Sequence, residues 1–188
     1  MLAVFYLFLT WLLAGIPTGQ ILALLYADVD LREQGSGNIG ATNAARVLGR
    51  GIGAATLVGD FAKGLIPVAL AGTVGAGSFF AGIVAMVAFL GHCFSPYLAF
   101  RGGKGVATTA GAMLALAPLP TLLTVGGWGL TVGLTRKSSL GALAAVFLLP
   151  LLVAWLAPQW TSVSLILAFG VAVRHLDNVR RLLAGTER

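Results

Sequence analysis

Charge is what this sequence has least of. Only 10% of its 188 residues are charged, against about 25% in an average soluble domain. Hydrophobic residues make up 58%, and the mean hydropathy is +0.95. Too few polar side chains are present to cover a water-soluble globule of this length, so an all-soluble enzyme is excluded and an integral membrane protein is expected. Acidic residues are scarcer than basic ones, six Asp and Glu against twelve Lys and Arg, which gives a net charge of +6 and a pI near 10.3. In so apolar a chain that excess reads as basic loops on one side of a membrane, and no nucleic-acid partner is expected. One cysteine, Cys93, excludes an intrachain disulfide. Metal-ligand spacing is missing too: His92 and His175 stand alone, neither opens an H-E-x-x-H, and no metal or cofactor is expected.

What is present is a series of apolar runs, at about 2–26, 52–74, 79–98, 105–134, 139–157 and 160–174. A helix needs roughly 20 residues to cross a ~30 Å hydrocarbon core. The run 105–134 is long for one span and short for two, and Pro118-Leu119-Pro120 interrupts it. The basic residues decide between the two. With two crossings there, the chain crosses seven times, and one side collects Arg32, Arg46, Arg50, Arg101, Lys104, Arg136, Lys137, Arg174, Arg180, Arg181 and Arg188. The other side receives none, and Lys63 lies within a run. The expectation is an all-α, seven-helix membrane bundle forming one domain over 1–188, with the N-terminus outside and the C-terminus cytoplasmic. The first run lacks a preceding Lys or Arg, unlike a secretory signal peptide, and reads as a retained span. The 26 glycines suit close helix packing.

Three polar segments fall on the cytoplasmic side of that topology. In Gly35-Ser36-Gly37-Asn38-Ile39-Gly40-Ala41-Thr42-Asn43-Ala44-Ala45-Arg46, glycines alternate with small hydrogen-bonding residues and an arginine closes the run. Such a segment can converge backbone N–H groups on an anion, with Arg46 as a fork. It fits equally a Gly/Asn turn leading into a polar interfacial helix. His92-Cys93-Phe94-Ser95-Pro96 is followed by Arg101-Gly102-Gly103-Lys104-Gly105, again either a phosphate cradle or a tight interfacial turn whose lysine snorkels. It is not a Walker A loop, because Gly105 follows the lysine. The third segment, 174–187, puts Arg174, Asn178 and Arg181 on one face if it is one helix; a basic helix against anionic lipid has the same pattern. Asp60 and Lys63 sit at i,i+3 inside an apolar run, where charges are costly, pair and face inward.

SGNIGATNAAR, DFAKG, GHCFSPYLAFRGGKGVATT and RHLDNVRRLLAGTE resemble, in order and over essentially the whole chain, the signature segments of the bacterial acyl-phosphate-dependent glycerol-3-phosphate acyltransferases (PlsY type). Departures are small: Tyr97, Arg101 and Val179 replace the more usual Phe, Lys and Ile. The resemblance implies a multi-pass enzyme of the bacterial inner membrane with its active site at the cytoplasmic face. It would move a fatty acyl group from acyl phosphate to the sn-1 hydroxyl of glycerol 3-phosphate, giving lysophosphatidic acid and phosphate in the first step of phospholipid synthesis. Implied partners are those two substrates, membrane lipid, and a soluble enzyme that supplies acyl phosphate. By the same resemblance, Ser36 and Arg46 contact substrate, and Asn38, Thr42 and Asn43 line the site. Lys63, His92 and Lys104 match the basic residues of the second and third signatures, and the residue pattern itself adds Gly102, Gly103, Gly105 and Arg181 as candidate phosphate ligands. His175 and Asn178 form the active-site pair, and Glu187 is the structural terminal glutamate of that motif; from its position beside Lys63, Asp60 fits a structural buried ion pair as well as a substrate contact.

Acyl phosphate is a mixed anhydride with a good leaving group, so positioning and charge stabilisation carry most of the expected catalysis, without a covalent enzyme intermediate. Ser36 fits a hydrogen-bonding clamp, since no Ser-His-acid order supports a triad. The hydroxyl proton goes either to His175, oriented by Asn178, or to a substrate phosphate oxygen. Thioester-using acyltransferases carry His-x-x-x-x-Asp; here Tyr97 and Arg180 stand five residues beyond the histidines. An organic-phosphate transporter is disfavoured by the uncharged outer loops and the lack of internal repeats. The scattered Asp28, Asp30, Asp60 and Asp177 do not form the aspartate-rich metal site of a CDP-alcohol phosphotransferase.

Overall fold

The computed structural model describes residues 1–75 and 77–187, and of Ser78 the backbone alone. Arg188, counted above among the cytoplasmic basic residues, lies outside the described residues. All regular structure among the described residues is helical, as the composition requires. The chain divides into two compact units, Met1–Ala112 and Met113–Arg188.

The first unit holds α1 (Leu2–Gly15), α2 (Thr18–Ala27), α3 (Ala41–Leu48), α4 (Arg50–Leu70), α5 (Ser78–Cys93) and most of α6 (Val106–Leu116). The first apolar run is broken at Ile16-Pro17, because proline disfavours the helical region for the residue before it. Tyr6 ties α1 to α4 by donating to the Pro67 carbonyl at 2.6 Å. α3 is short and amphipathic. Its Ala44 packs with Ala23 and Leu31, and Val47, Leu48 and Ile52 close the cluster around them. α4 and α6 meet backbone to backbone. A Cβ on Gly64 would stand 2.1 Å from the Thr108 carbonyl oxygen, and one on Gly111 would stand 2.1 Å from that of Phe61, so only glycine permits this approach. A groove of about 400 Å³ runs between α1 and α4, lined by Tyr6, Leu13, Ile16, Gly59, Lys63 and Pro67 among others.

The second unit contains α7 (Pro118–Thr135), α8 (Ser138–Leu156), α9 (Thr161–Arg174) and α10 (Leu176–Leu183). The break expected at Pro118-Leu119-Pro120 falls at Ala117, and Pro118 opens α7, where a missing N–H costs nothing. α7 lies against α8 with Trp128 over Gly141. Leu149 and Val153 of α8 and Val163, Leu167 and Val171 of α9 are buried.

Among the described residues, four helical segments are long and apolar enough to cross a bilayer: Leu2–Ala27, Arg50–Val74, Phe79–Leu98 and Ser138–Leu156. Pro158–Arg174 with Leu176–Leu183, bent by 54°, makes a fifth candidate. α6 is apolar but has 11 residues, a rise of about 16 Å.

Candidate active site

The loop between α2 and α3 is organised around Asn43. Its buried amide nitrogen donates to the carbonyls of Leu31 (3.2 Å), Gln34 (2.9 Å) and Asn38 (2.9 Å). Its Oδ1 accepts from the Ser36 backbone N–H at 2.8 Å and from Arg46 Nη1 at 3.3 Å. Both ends of the amide are thus occupied by the chain itself, and Asn43 shapes the loop that carries Ser36 and Arg46. Gln20, buried in α2, accepts from the Leu31 N–H at 3.0 Å and pins the loop's start. Asn38 caps its own turn by accepting from the Gly40 N–H at 3.0 Å, and α3 begins at the next residue. Ser36, Thr42 and Arg46 are exposed around this frame, with Asn38 half-buried. Arg32 is committed elsewhere: its Nε lies 2.9 Å from Asp30, and that hydrogen-bonded guanidinium holds the Asp30 carboxyl down at about 2.

A second cluster surrounds the end of α5. Asp60 Oδ1 lies 2.9 Å from Lys63 Nζ and 3.8 Å from His92 Nδ1, with all three side chains at least 90% buried. Lys63 also donates to the Ile16 carbonyl at the end of α1 (2.9 Å), and Thr108 of α6 donates to the Asp60 carbonyl (2.9 Å). The Gly102-Gly103 segment is strapped along the end of α5: Gly102 N–H donates to the Cys93 carbonyl (3.0 Å) and Gly103 N–H to that of His92 (3.1 Å). A Cβ on Gly102 would stand 2.0 Å from the His92 carbonyl oxygen, and one on Gly103 2.2 Å from His92 Nε2. Gly105 has φ +80° and leads into α6. Contact with His92 therefore demands glycine at 102 and 103, while Gly105 is required by its positive φ and by Phe89, which a Cβ there would meet at 2.3 Å. Ala99 and Phe100, at φ 48° and 62°, form the tight reversal before it, a backbone region ordinary side chains rarely occupy.

The third cluster lies in the second unit. His175 sits at the bend between α9 and α10, buried, with Nδ1 2.8 Å from the Val171 carbonyl. A carbonyl only accepts, so Nδ1 carries the proton, and in the neutral ring Nε2 is the basic nitrogen. The bend separates Arg174 from α10, so Arg174 does not share a helical face with Asn178 and Arg181 as one continuous helix would require. Asn178 donates to Glu187 Oε1 at 2.6 Å and Arg181 Nε to Glu187 Oε2 at 2.7 Å. Nδ1 of His175 is thus oriented by Val171, while Asn178 is itself held by Glu187. Burial would raise the Glu187 carboxyl; Ser139 beside it and the bonds from Arg181 and Asn178 outweigh that and hold it below its usual range. Among the described residues no group of three His, Cys, Asp or Glu side chains could hold a metal ion.

A family model described as glycerol-3-phosphate acyltransferase matches residues 4–185. The chain is 45% identical over 179 residues to the glycerol-3-phosphate acyltransferase of Trichlorobacter lovleyi, covering 94% of this chain and 92% of that one. It is 44% identical over 190 residues to that of Pseudomonas syringae, covering 100% and 99%. The chain belongs to the glycerol-3-phosphate acyltransferase family. Its fold is similar to the crystal structure of PlsY, an integral membrane glycerol 3-phosphate acyltransferase, in the glycerol 3-phosphate form, with a TM-score of 0.93 and 33% identity over 99% of this chain and 94% of that one. The lysophosphatidic acid form of PlsY gives 0.90 and 32% over the same shares.

In this acyltransferase the residues singled out by sequence fall into three groups: Ser36, Asn38, Thr42, Asn43 and Arg46 on one loop and helix; Asp60, Lys63, His92 and Gly102–Gly105 around the end of α5; and His175, Asn178, Arg181 and Glu187 in the second unit. Three framework residues escaped sequence reading. They are Gln20, Thr108, and Ser95, which is fully buried and donates to the Gly15 carbonyl at 2.6 Å. Their signal was a polar residue inside or beside an apolar run, which is also what a lone helix-packing hydroxyl looks like.

Proposed function

We propose that this acyltransferase moves a fatty acyl group from acyl phosphate to the sn-1 hydroxyl of glycerol 3-phosphate at the cytoplasmic face of the bacterial inner membrane. The chain acts as one domain crossing seven times, with its N-terminus outside and its C-terminus inside. The observation that carries the chemistry is the His175 ring, whose Nδ1 bond to Val171 leaves Nε2 as the proton acceptor. The glycerol hydroxyl attacks the acyl carbonyl and gives its proton to Nε2. The new ester C–O bond forms as the bond to phosphate breaks, and inorganic phosphate leaves with the electron pair. Ser36 and Arg46 clamp one phosphate, with Asn38 and Thr42 beside them. Lys104, the glycine loop, Lys63 and His92 bind the other, Arg181 adds positive charge, and Asn43 shapes the first loop. The groove between α1 and α4 suits the acyl chain, since its lining is apolar and has Lys63 on its wall. A soluble enzyme that makes acyl phosphate is the implied supplier.

Purified protein given palmitoyl phosphate and glycerol 3-phosphate should release phosphate and 1-acyl lysophosphatidic acid with no acyl-CoA present. Turnover with acyl-CoA or acyl carrier protein thioester alone would overturn the donor assignment. A 2-acyl product would overturn the positional one.

A further inference from the structure

Asp60 is costly where it stands. It is a carboxylate buried in an apolar helix, and its ion-pair partner Lys63 is on the same helix, three residues on. A pair within one helix joins nothing to anything, and buried ion pairs contribute little net stability. The distinctive feature is that the same oxygen, Oδ1, also faces His92 Nδ1 on α5. The opposite edge of that ring, Nε2, stands against Gly103. Asp60 is itself fixed, since its carbonyl accepts from Thr108, and Lys63 is fixed by Ile16. Carboxylate, imidazole and glycine loop thus form a line across three elements, with the ammonium braced at its side.

We propose that Asp60 is a positioning residue: its carboxylate keeps the His92 proton on Nδ1 and turns Nε2 toward the glycine loop, where a substrate phosphate binds, and it holds the Lys63 ammonium beside the ring. A carboxylate accepts only, so it selects the Nδ1–H form. Partners that orient a metal-ligating histidine are worth about 10–100-fold, and the same orienting task at a phosphate-binding histidine sets the expected scale here. Apo contacts in such sites are often long and tighten on ligand binding, which accommodates the 3.8 Å separation. The proposal rests on the phosphate-binding reading of His92 and the loop given above.

The test uses the full chain in lipid nanodiscs with 15N-labelled histidine. The protein has two histidines, so H175N assigns the remaining signal to His92. The wild type should show a protonated Nδ1 and D60A a shift toward the Nε2–H form. D60A should also lower kcat/KM with palmitoyl phosphate and glycerol 3-phosphate by about tenfold or more, mainly through KM, with D60E restoring part of it. Because D60A leaves Lys63 without its counterion, D60A/K63M serves as a charge-neutral variant and should show the same tautomer shift with its thermal midpoint recovered. An Nε2–H ring in the wild type, or an unchanged tautomer in both variants, would overturn the proposal. So would an unchanged kcat/KM in folded D60A. A wild type inactive with acyl phosphate, yet showing the expected tautomers, would overturn the donor assignment and leave the role of Asp60 standing.

Discussion

Asn43 lies in the segment that most resembles a substrate signature, yet its amide is used up by the chain that contains it. Replacing it by alanine would leave the Leu31, Gln34 and Asn38 carbonyls and the Ser36 N–H without their partner. Loss of a buried hub of this kind costs about 2–4 kcal/mol. Asn43→Asp should do at least as much harm, because it puts an oxygen among three carbonyl oxygens. Both variants should lower the thermal midpoint and speed hydrogen exchange in residues 31–40, and lose activity through that loop; a variant with full loop protection but no activity would instead place Asn43 in direct contact with substrate. At this scale, residue types were legible and roles only partly so. Gly103 reads as a phosphate-cradling glycine, and it also stands against the His92 ring. Sequence patterns cannot separate the two, because both demand a residue without a Cβ.

Among elements, α10 shows what spacing can and cannot reveal. A helix carrying Asp177 in its first turn and Arg180 and Arg181 in its last has favourable ends and reads directly. The 54° bend at His175 did not, since nothing local breaks the helix there, neither proline nor glycine. Glu187, far from the bend in sequence, returns to bind Asn178 and Arg181 and so closes α10. Its carboxyl is lowered from the ordinary glutamate value of 4.5. A depressed acid stabilises the folded form above its unfolded value and ceases to do so as pH falls through the folded value. Protection of α10 from hydrogen exchange should therefore be flat between pH 7 and about pH 5, then fall as the pH drops through the lowered value. Glu187→Gln should remove the pH dependence and weaken protection throughout by about 1–2 kcal/mol. A protection profile in the mutant identical to that of the wild type would show that another contact closes the helix.

For the whole molecule, the all-helical membrane architecture was legible because composition alone leaves no other solvent for this chain. The number of crossings turns on a narrower question, the disposition of α6 and α7. Both exist as separate helices divided at Ala117, but α6 has only 11 residues and rises about 16 Å against a ~30 Å core. Either the bilayer thins around α6 and the pair crosses twice, or α6 turns back without crossing and α7 crosses alone, so that Arg136 and Lys137 face the side opposite to Arg101 and Lys104. Charge favours the former. Moving two cations to the outer surface opposes the positive-inside bias on which the proposed topology rests, whereas mismatch costs only fractions of a kcal/mol per Å and neighbouring helices can cover the shortfall. α8, with 19 residues, is long enough at about 28 Å to carry the chain from Arg136 to the opposite surface. Single cysteines at Arg136 and Gln159, introduced in a Cys93→Ala background, separate the possibilities in intact cells. Gln159→Cys should react with an impermeant maleimide added outside, and Arg136→Cys only after the membrane is opened. Labelling of Arg136→Cys from outside would mean that α6 and α7 do not form two crossings. On the proposed topology α8 and α9 add two spans after Arg136, so the basic C-terminal helix would then face outward as well, taking His175 away from the side on which the proposed acyl-phosphate donor is supplied.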